Sequence, residues 1–317
     1  MKIVLFLENR PANNRQIKLL DEMTAGRKKN IVFIINPISG VRKKHRIEEI
    51  ISREIDHSKY ESHFLFTEYA GHGAALAATA VASGAEIVVA VGGDGSVNEV
   101  AGQLVGTQVS LGIVPMGSGN GLANHLNIPL SPPKAVQILN QSHSQQIDTA
   151  AVNGLFFISI AGIGFDATIA RKFAGSRKRG FWTYLRLILR EFVTYQVRPY
   201  KLNIDGQDIS RDALFISFAN SDQYGYKTKI APEASVDDGF LDVCIVGKPP
   251  IYRMPLMAYL LFTNQIGKLK DVEIVKAKVI KIFCTEEKTV NLDGDPKSIT
   301  GNLEVAINAS SLNVIIP

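Results

Sequence analysis

The stretch EIVVAVGGDGSVNEVAGQLV, residues 86–105, constrains this chain more than any other. Residues 86–91 are apolar after Glu86 and mostly β-branched, as a short buried strand requires; 92–95 form a turn almost without side chains, and 96–105 have the pattern of a helix. Ser96 followed by Glu99 fits the S-x-x-E capping box, in which each side chain satisfies a backbone donor of the first helical turn. A strand that passes through glycines into a helix leaves backbone N–H groups and the positive end of the helix dipole at the strand's carboxyl end, where phosphate can sit. Gly92, Gly93 and Gly95 suit that use, because a Cβ would hold an anion away from the backbone. Asp94 is out of place in a phosphate cradle unless its carboxylate binds a cation, orders the loop or accepts bonds from loop amides. A magnesium nucleotide is the expected ligand. A single turn of this kind serves equally as a plain strand-to-helix connection with Asp94 as its cap.

Two more loops of the same design shift that balance. Residues 31–35 read as a strand, followed by Asn36, Pro37, Ile38, Ser39 and Gly40 and a basic helix over 41–55. Pro37 and Gly40 shape the turn, Asn36 and Ser39 offer polar groups, and Arg42, Lys43 and Lys44 add positive charge that serves either a phosphate or a solvated face. Residues 60–67 alternate as a strand ending at Thr67, and 71–83 form an alanine-rich helix; His72 between them is assigned no catalytic role. Residues 110–114 form the next strand, which enters Pro115-Met116-Gly117-Ser118-Gly119-Asn120-Gly121 and a helix over 122–126. That spacing misses G-x-G-x-x-G, and neither a Walker G-K-[ST] nor an H-R-D occurs anywhere in the chain. Strands alternating with helices imply a doubly wound parallel sheet, so all three glycine loops emerge on one edge and a single anionic ligand can touch them all.

From residue 147 the texture changes to β-branched runs at 148–152, 155–160, 201–204, 213–219, 241–246, 279–284, 289–292 and 303–308, the pattern of an antiparallel β-sandwich. The expected division is a polar leader over 1–29, an α/β nucleotide-binding unit over 30–145 and a sandwich over 146–317 whose tail can return to the first unit. One helix interrupts the strands at 181–195, FWTYLRLILREFVTY, preceded by Arg171, Lys172, Arg177, Lys178 and Arg179. Its apolar girth fits a membrane-surface helix and a core helix equally.

With 46% hydrophobic residues, 317 positions are enough for one large or two ordinary cores. The net charge of +5 suits nucleotides and membrane surfaces, and is too small on its own to indicate nucleic acid, for which no binding signature appears. Cys244 and Cys284 form no C-x-x-C pair and read as buried reduced thiols. The start, MKIVLFLENR, has too short an apolar run for a targeting signal, and the apolar run at 254–262 is far below the ~20 residues that span a bilayer. The expected location is cytoplasmic, with peripheral membrane contact; the oligomeric state is left open.

These residues together resemble the diacylglycerol kinase catalytic-domain superfamily, which includes soluble bacterial lipid kinases and the sphingosine and ceramide kinases. The likeness rests on NPISG (36–40), Thr67 with Gly71 and His72, GGDGSVNEV (92–100), PMGSGNGLA (115–123), Asn220, Ala231-Pro232, DDGFLDV (237–243) and Asp293-Gly294, in order over residues 31–295. It is also similar to NAD kinases and phosphofructokinases in its GGDG loop, and the NPISG and DDGFLDV segments favour the lipid branch. The resemblance implies an ATP-dependent lipid kinase with its active site between two domains. Nucleotide contacts would then fall on Asn36, Pro37, Ile38, Ser39, Gly40, Thr67, Gly92, Gly93, Asp94, Gly95, Ser96, Asn98, Glu99, Gly117 and Ser118. A structural Mg²⁺ would fall on Asp238 with backbone oxygens near Ser235 and Phe240, an oxygen-only set that suits that ion.

The resemblance places the catalytic position in Asp293-Gly294-Asp295. A lipid hydroxyl must lose its proton as it attacks a γ-phosphoryl group, and a positioned carboxylate can accept it. Asp293 is the favoured base, and Asp295 replaces the family's glutamate; read without the family, D-G between strands is a hairpin turn. The GSGN form of the third loop is nearer to sphingosine kinases, so the lipid acceptor stays open among diacylglycerol, a sphingoid base or ceramide, and phosphatidylglycerol-like lipids. Two other readings remain beside the lipid kinase: an NAD kinase-like enzyme acting on a soluble substrate, and a nucleotide or lipid sensor without catalysis.

Overall fold

The structure, a computed structural model, describes residues 27–39, 46–175, 181–225 and 228–317. Its first half is built from β1 (Lys29–Ile35), α1 (Ile47–Glu54), β2 (Tyr60–Phe66), α2 (His72–Ala82), β3 (Ile87–Gly92), α3 (Asp94–Leu104), β4 (Ser110–Pro115), α4 (Gly121–His125) and α5 (Pro132–Leu139). The strands run parallel in the order β2-β1-β3-β4. Chain direction across the sheet reverses at β2, so right-handed crossovers put α1 on one face and α2 and α3 on the other. The apolar run IVVAVG of β3 is buried along its whole length, as a strand covered on both faces requires.

The second half contains β5 (Ser144–Val152), β6 (Leu155–Phe157), β7 (Ile160–Gly164), α6 (Phe165–Ala174), α7 (Phe181–Thr194), β8 (Arg198–Ile204), β9 (Gln207–Ala213), β10 (Phe215–Ala219), β11 (Gln223–Gly225), β12 (Thr228–Lys229), β13 (Leu241–Val246), α8 (Met254–Phe262), β14 (Val272–Ala277), β15 (Val279–Phe283), β16 (Lys288–Leu292), β17 (Asp295–Ile299) and β18 (Leu303–Ile315). An antiparallel sheet ordered β14-β13-β10-β7-β16-β17 packs on β5, β6, β8, β15 and β18 through a core that includes Phe157, Leu202, Phe218, Val243, Ile280 and Val290. The doubly wound sheet followed by an antiparallel sandwich is therefore the architecture observed. Outside the sandwich, α6, α7 and α8 share a smaller core with the antiparallel sheet, containing Phe165, Ile169, Phe192, Phe215, Val246 and Leu260. Among the described residues, no helix is long and apolar enough to cross a membrane.

The long β18 joins the halves. It pairs antiparallel with β5 and β15, then runs parallel to β4 at Asn313 and Val314, so one ten-stranded sheet continues from the parallel region into the sandwich. The stretch 155–160, expected as one strand, is divided between two sheets. Its middle joins no ladder, the amides of Ile158 and Ser159 being taken by the side chain of Asp293.

Candidate active site

The loops after β1, β3 and β4 open on the same edge and touch one another. Asn36 donates from Nδ2 to Ser96 Oγ at 3.1 Å, while its Oδ1 accepts from Ile38 N at 2.9 Å and folds the turn through Pro37. A Cβ on Gly117 would lie 2.6 Å from Gly93 Cα, so the second and third loops meet backbone to backbone as only glycine allows. Thr67, buried at the end of β2, donates its N–H to Ile35 O at 2.9 Å, which sets it beside the first loop. Ser118 is exposed at the tip of the third loop. Gly40, with Arg42, Lys43 and Lys44, lies outside the described residues.

Helix α3 begins at Asp94, two residues before the expected start, and no side chain caps it. Gly92 accordingly ends β3, and Asp94 and Gly95 belong to the first helical turn. The amides of Asp94, Gly95 and Ser96 have no intrahelical partner there, which makes the end of β3 the donor-rich point of the cluster. With the helix so registered, Ser96 and Glu99 cannot form a capping box. Glu99 instead accepts from Gly71 N at 2.8 Å and Gly73 N at 2.9 Å, fastening the start of α2. Its two carboxylate oxygens are held by the start of α2, which favours a bracing role over the expected nucleotide contact. Asp94 takes the third of its expected roles: Oδ2 accepts from Asn120 N at 2.9 Å and Oδ1 from Gly121 N at 2.5 Å, locking the third loop onto the second.

The hairpin between β16 and β17 faces this cluster from the sandwich. Asp293 and Gly294 both take positive φ, 50° and 93°, which makes a two-residue turn of the D-G kind, so the plain hairpin reading of these residues is also right. The Asp293 carboxylate collects four donors. Oδ1 accepts from Ser159 N at 2.9 Å and Ile160 N at 2.8 Å, and Oδ2 from Ile158 N and Asn98 Nδ2, each at 2.7 Å. Burial pushes its carboxyl above the ordinary value, against those four donors pulling the other way. Asn98 lies on α3, so one bond ties the glycine-loop helix to the catalytic candidate. Asp295, two residues on, is exposed and ion-paired with Lys297 at 2.8 Å.

The acidic loop before β13 offers oxygens to a hard cation. Asp238 accepts from Phe240 N at 3.0 Å through Oδ1 and pairs with Lys276 through Oδ2, while Ser235 Oγ bonds Asp237. One strand position beyond, Asp242 is buried with an Oδ2 that accepts no hydrogen bond, and burial pushes its carboxyl up. An all-oxygen set at Ser235, Asp238 and Phe240 would suit Mg²⁺, which would have to displace Lys276 from Asp238. Among the described residues no three His, Cys, Asp or Glu side chains converge on a metal position, so backbone oxygens must complete such a site. Asp148 braces this loop: its Oδ2 accepts from Gly239 N at 2.6 Å and its Oδ1 from Ser310 N at 2.7 Å.

Some of this scaffolding escaped the sequence reading. Asn120, in the left-handed region at φ 52°, closes the third loop on itself, its Oδ1 accepting from Gly117 N and its Nδ2 donating to Gly117 O, both at 2.9 Å. The N-G pair at 120–121 was the available signal. His125, at the end of α4, meets Asp222 at 2.7 Å, and Lys229 pairs with the same carboxylate. Burial alone would raise the Asp222 carboxyl, but the bonds from His125 and Lys229 outweigh it and hold it at about 2. The helix at 181–195 satisfies its core reading with Phe192 and Leu187 inward, while Trp182, Arg186, Leu189, Arg190 and Val193 face outward. Residues 177–179 lie outside the described residues.

Comparison with known proteins finds relatives of both halves of the chain. Residues 30–152 match the family described as the diacylglycerol kinase catalytic domain, and residues 159–316 the one described as the YegS C-terminal NAD kinase beta sandwich-like domain. The chain is 30% identical over 259 residues to a probable lipid kinase YegS-like of Pseudomonas putida, covering 78% of this chain and 83% of that protein. It is 30% identical over 228 residues to a diacylglycerol kinase of Mycobacterium tuberculosis, covering 69% and 74%. The crystal structure of a diacylglycerol kinase from Bacillus anthracis superposes with a TM-score of 0.70 at 23% identity, over 91% of this chain and 97% of that one, a likeness of fold.

Proposed function

Because the chain belongs to the diacylglycerol kinase catalytic-domain family, a family of phosphotransferases, we propose that it is an ATP- and Mg²⁺-dependent lipid kinase. The observation that carries the proposal is the Asn98–Asp293 bond, which joins an uncapped, glycine-lined helix start to a carboxylate pair on a sandwich hairpin. In this reading the unit over 30–145 holds the nucleotide through Asn36, Pro37, Ile38, Ser39, Gly40, Thr67, Gly92, Gly93, Asp94, Gly95, Ser96, Asn98, Gly117 and Ser118. The unit over 146–317 presents the acceptor, for which the names of the relatives favour diacylglycerol. ATP supplies the γ-phosphoryl group and leaves as ADP.

The two aspartates divide the work. Both oxygens of Asp293 already accept two donors each, so its carboxylate positions the hairpin against α3 and has no free lone pair directed at a substrate. We therefore move the proton-accepting role, first given to Asp293, to Asp295, whose carboxylate is exposed on the strand that follows the turn. As the acceptor oxygen bonds to phosphorus and the β–γ bridge breaks, the hydroxyl proton passes to Asp295. The test is transfer from γ-labelled ATP to diacylglycerol, sphingosine, ceramide and phosphatidylglycerol in mixed micelles, with NAD as the soluble control. A labelled lipid is expected, with kcat falling at least ~100-fold in Asp295→Asn at an unchanged Tm, and both kcat and Tm falling in Asp293→Asn. Label in NAD alone would replace this reading with the NAD kinase-like one.

A further inference from the structure

We propose that the outer face of α8 and of the 3-10 turn Ile251–Arg253 before it, continued by the outer face of α7, docks on an anionic lipid bilayer. This deepens the lipid-kinase reading by naming the surface that delivers its acceptor, and rests on that reading for the choice of a membrane as the occupant. Helix α8 reads MPLMAYLLF, without a charge or a strong hydrogen-bonding side chain other than Tyr259, yet Leu260 is its one buried residue. A helix facing water carries polar residues on that side. Here Tyr252, Leu256 and Tyr259 share the outer face at helical spacing, with Tyr252 73% and Tyr259 62% exposed. Tyrosine, apolar in its ring and polar at its tip, suits the boundary between headgroups and acyl chains, as does tryptophan. The chain's one tryptophan, Trp182, is 78% exposed on α7.

The two helices are joined through one core. Phe192 of α7 and Leu260 of α8 lie in the same core, and Lys248 donates from Nζ to Tyr195 O at 2.7 Å, tying the end of α7 to the approach to α8. Charge selects the kind of surface. Residues 249–270 contain Arg253, Lys268 and Lys270 and no acid, and Arg253 is 3.6 Å from Asp271 just beyond. Helix α7 adds Arg186 and Arg190 against Glu191, which is bonded to Lys172. An apolar face rimmed by cations lies in the interface of an anionic leaflet, and nine residues are too few to span it. The joined helices also adjoin the candidate site: the β11–β12 hairpin packs on α4 at one side and α8 at the other, and α6 packs on both α7 and the β16–β17 hairpin.

The test uses the full chain with vesicles of phosphatidylcholine alone or with 30% phosphatidylglycerol, without ATP. Trp182 emission should shift to the blue, and the protein should float, with the anionic vesicles alone. Tyr259→Asp and Leu256→Asp should each weaken partitioning at least tenfold, and Lys268→Glu with Lys270→Glu several-fold, while phosphorylation of a short-chain, water-soluble diacylglycerol stays unchanged. Flotation indifferent to all these changes, or a stable dimer in solution that loses its association in Tyr259→Asp, would overturn the proposal. Binding that follows the variants while no lipid is ever phosphorylated would leave the docking face standing and sink the kinase reading, so the two failures are distinct. If the acidic variants unfold, the unmodified chain still decides, because an unshifted Trp182 emission with anionic vesicles counts against it.

Discussion

The two halves of the molecule organise polar chemistry in different ways. In the parallel half the loop backbones do the work: glycines let the second and third loops meet at Gly93 and Gly117, and the uncapped start of α3 leaves amides for a ligand. In the antiparallel half, buried or enclosed carboxylates gather partners from remote parts of the chain. Asp293 bonds Asn98 195 positions away, Asp148 bonds Ser310 162 positions away, and Asp222 meets His125 97 positions away. Parallel strands deliver their loops to one edge without further help, whereas a hairpin on a sandwich must be tied to that edge by side chains. The first arrangement is sensitive to volume and the second to charge.

The sharpest way to break this contrast is to add volume where the loops touch. Gly117→Val would drive a side chain into the Gly93 backbone, which cannot give way as a flexible side chain could. Nucleotide affinity is expected to fall at least ~100-fold, equivalent to about 3 kcal/mol, with the circular dichroism of the fold retained. Titration calorimetry with an ATP analogue checks it. Affinity within a few-fold of the unmodified chain would mean that the loops are held apart by something other than their glycines.

Glu99, like Asp94, sharpens the comparison, because both are carboxylates of the parallel half working in the manner of the other half. Glu99→Gln turns one acceptor toward the amides of Gly71 and Gly73 into a donor, at a cost of about 1–3 kcal/mol in unfolding free energy. Nucleotide affinity should change less than threefold. Chemical denaturation and calorimetry on the same variant separate the two effects, and a large loss of affinity with no loss of stability would return Glu99 to the nucleotide site.

The same contrast explains what was legible before the fold was known. The strand, glycine turn and helix at 87–104 are local physics, and three repeats of that unit dictate a common edge. The helix register was not legible: S-x-x-E at 96–99 satisfies the capping pattern, but Glu99 is claimed by amides 26 and 28 positions away. The D-G turn at 293–294 could be read as a hairpin from its dipeptide alone. That its aspartate gathers three consecutive amides at 158–160, and so divides an apparent strand between two sheets, depends on contacts more than 130 positions long. Residues 254–262 were legible as apolar and too short to span a bilayer. Their exposure was not, since periodicity cannot say which apolar helix the core will leave outside.

The charge side of the comparison is tested at the contact between α4 and the sandwich, where the change in stability with pH is confined to acid pH. Asp222 lies between His125 and Lys229 and is held at about 2 in the folded chain, against an ordinary value of 3.8. A carboxyl whose folded value is depressed adds stability that is fully present above the unfolded value and is lost as pH falls through the folded one. The contribution, about 2 kcal/mol, should therefore be complete above roughly pH 4 to 5 and should fade toward pH 2. Asp222→Asn should lower Tm at neutral pH and flatten the acid limb of the stability curve over that window, leaving the parallel half's response to pH as it was. Urea denaturation of both proteins from pH 7 to pH 2.5 measures it. Parallel curves would mean that His125 and Lys229 hold the two halves together without Asp222, and that α4 is anchored by the backbone of its own loop, as the rest of the parallel half is.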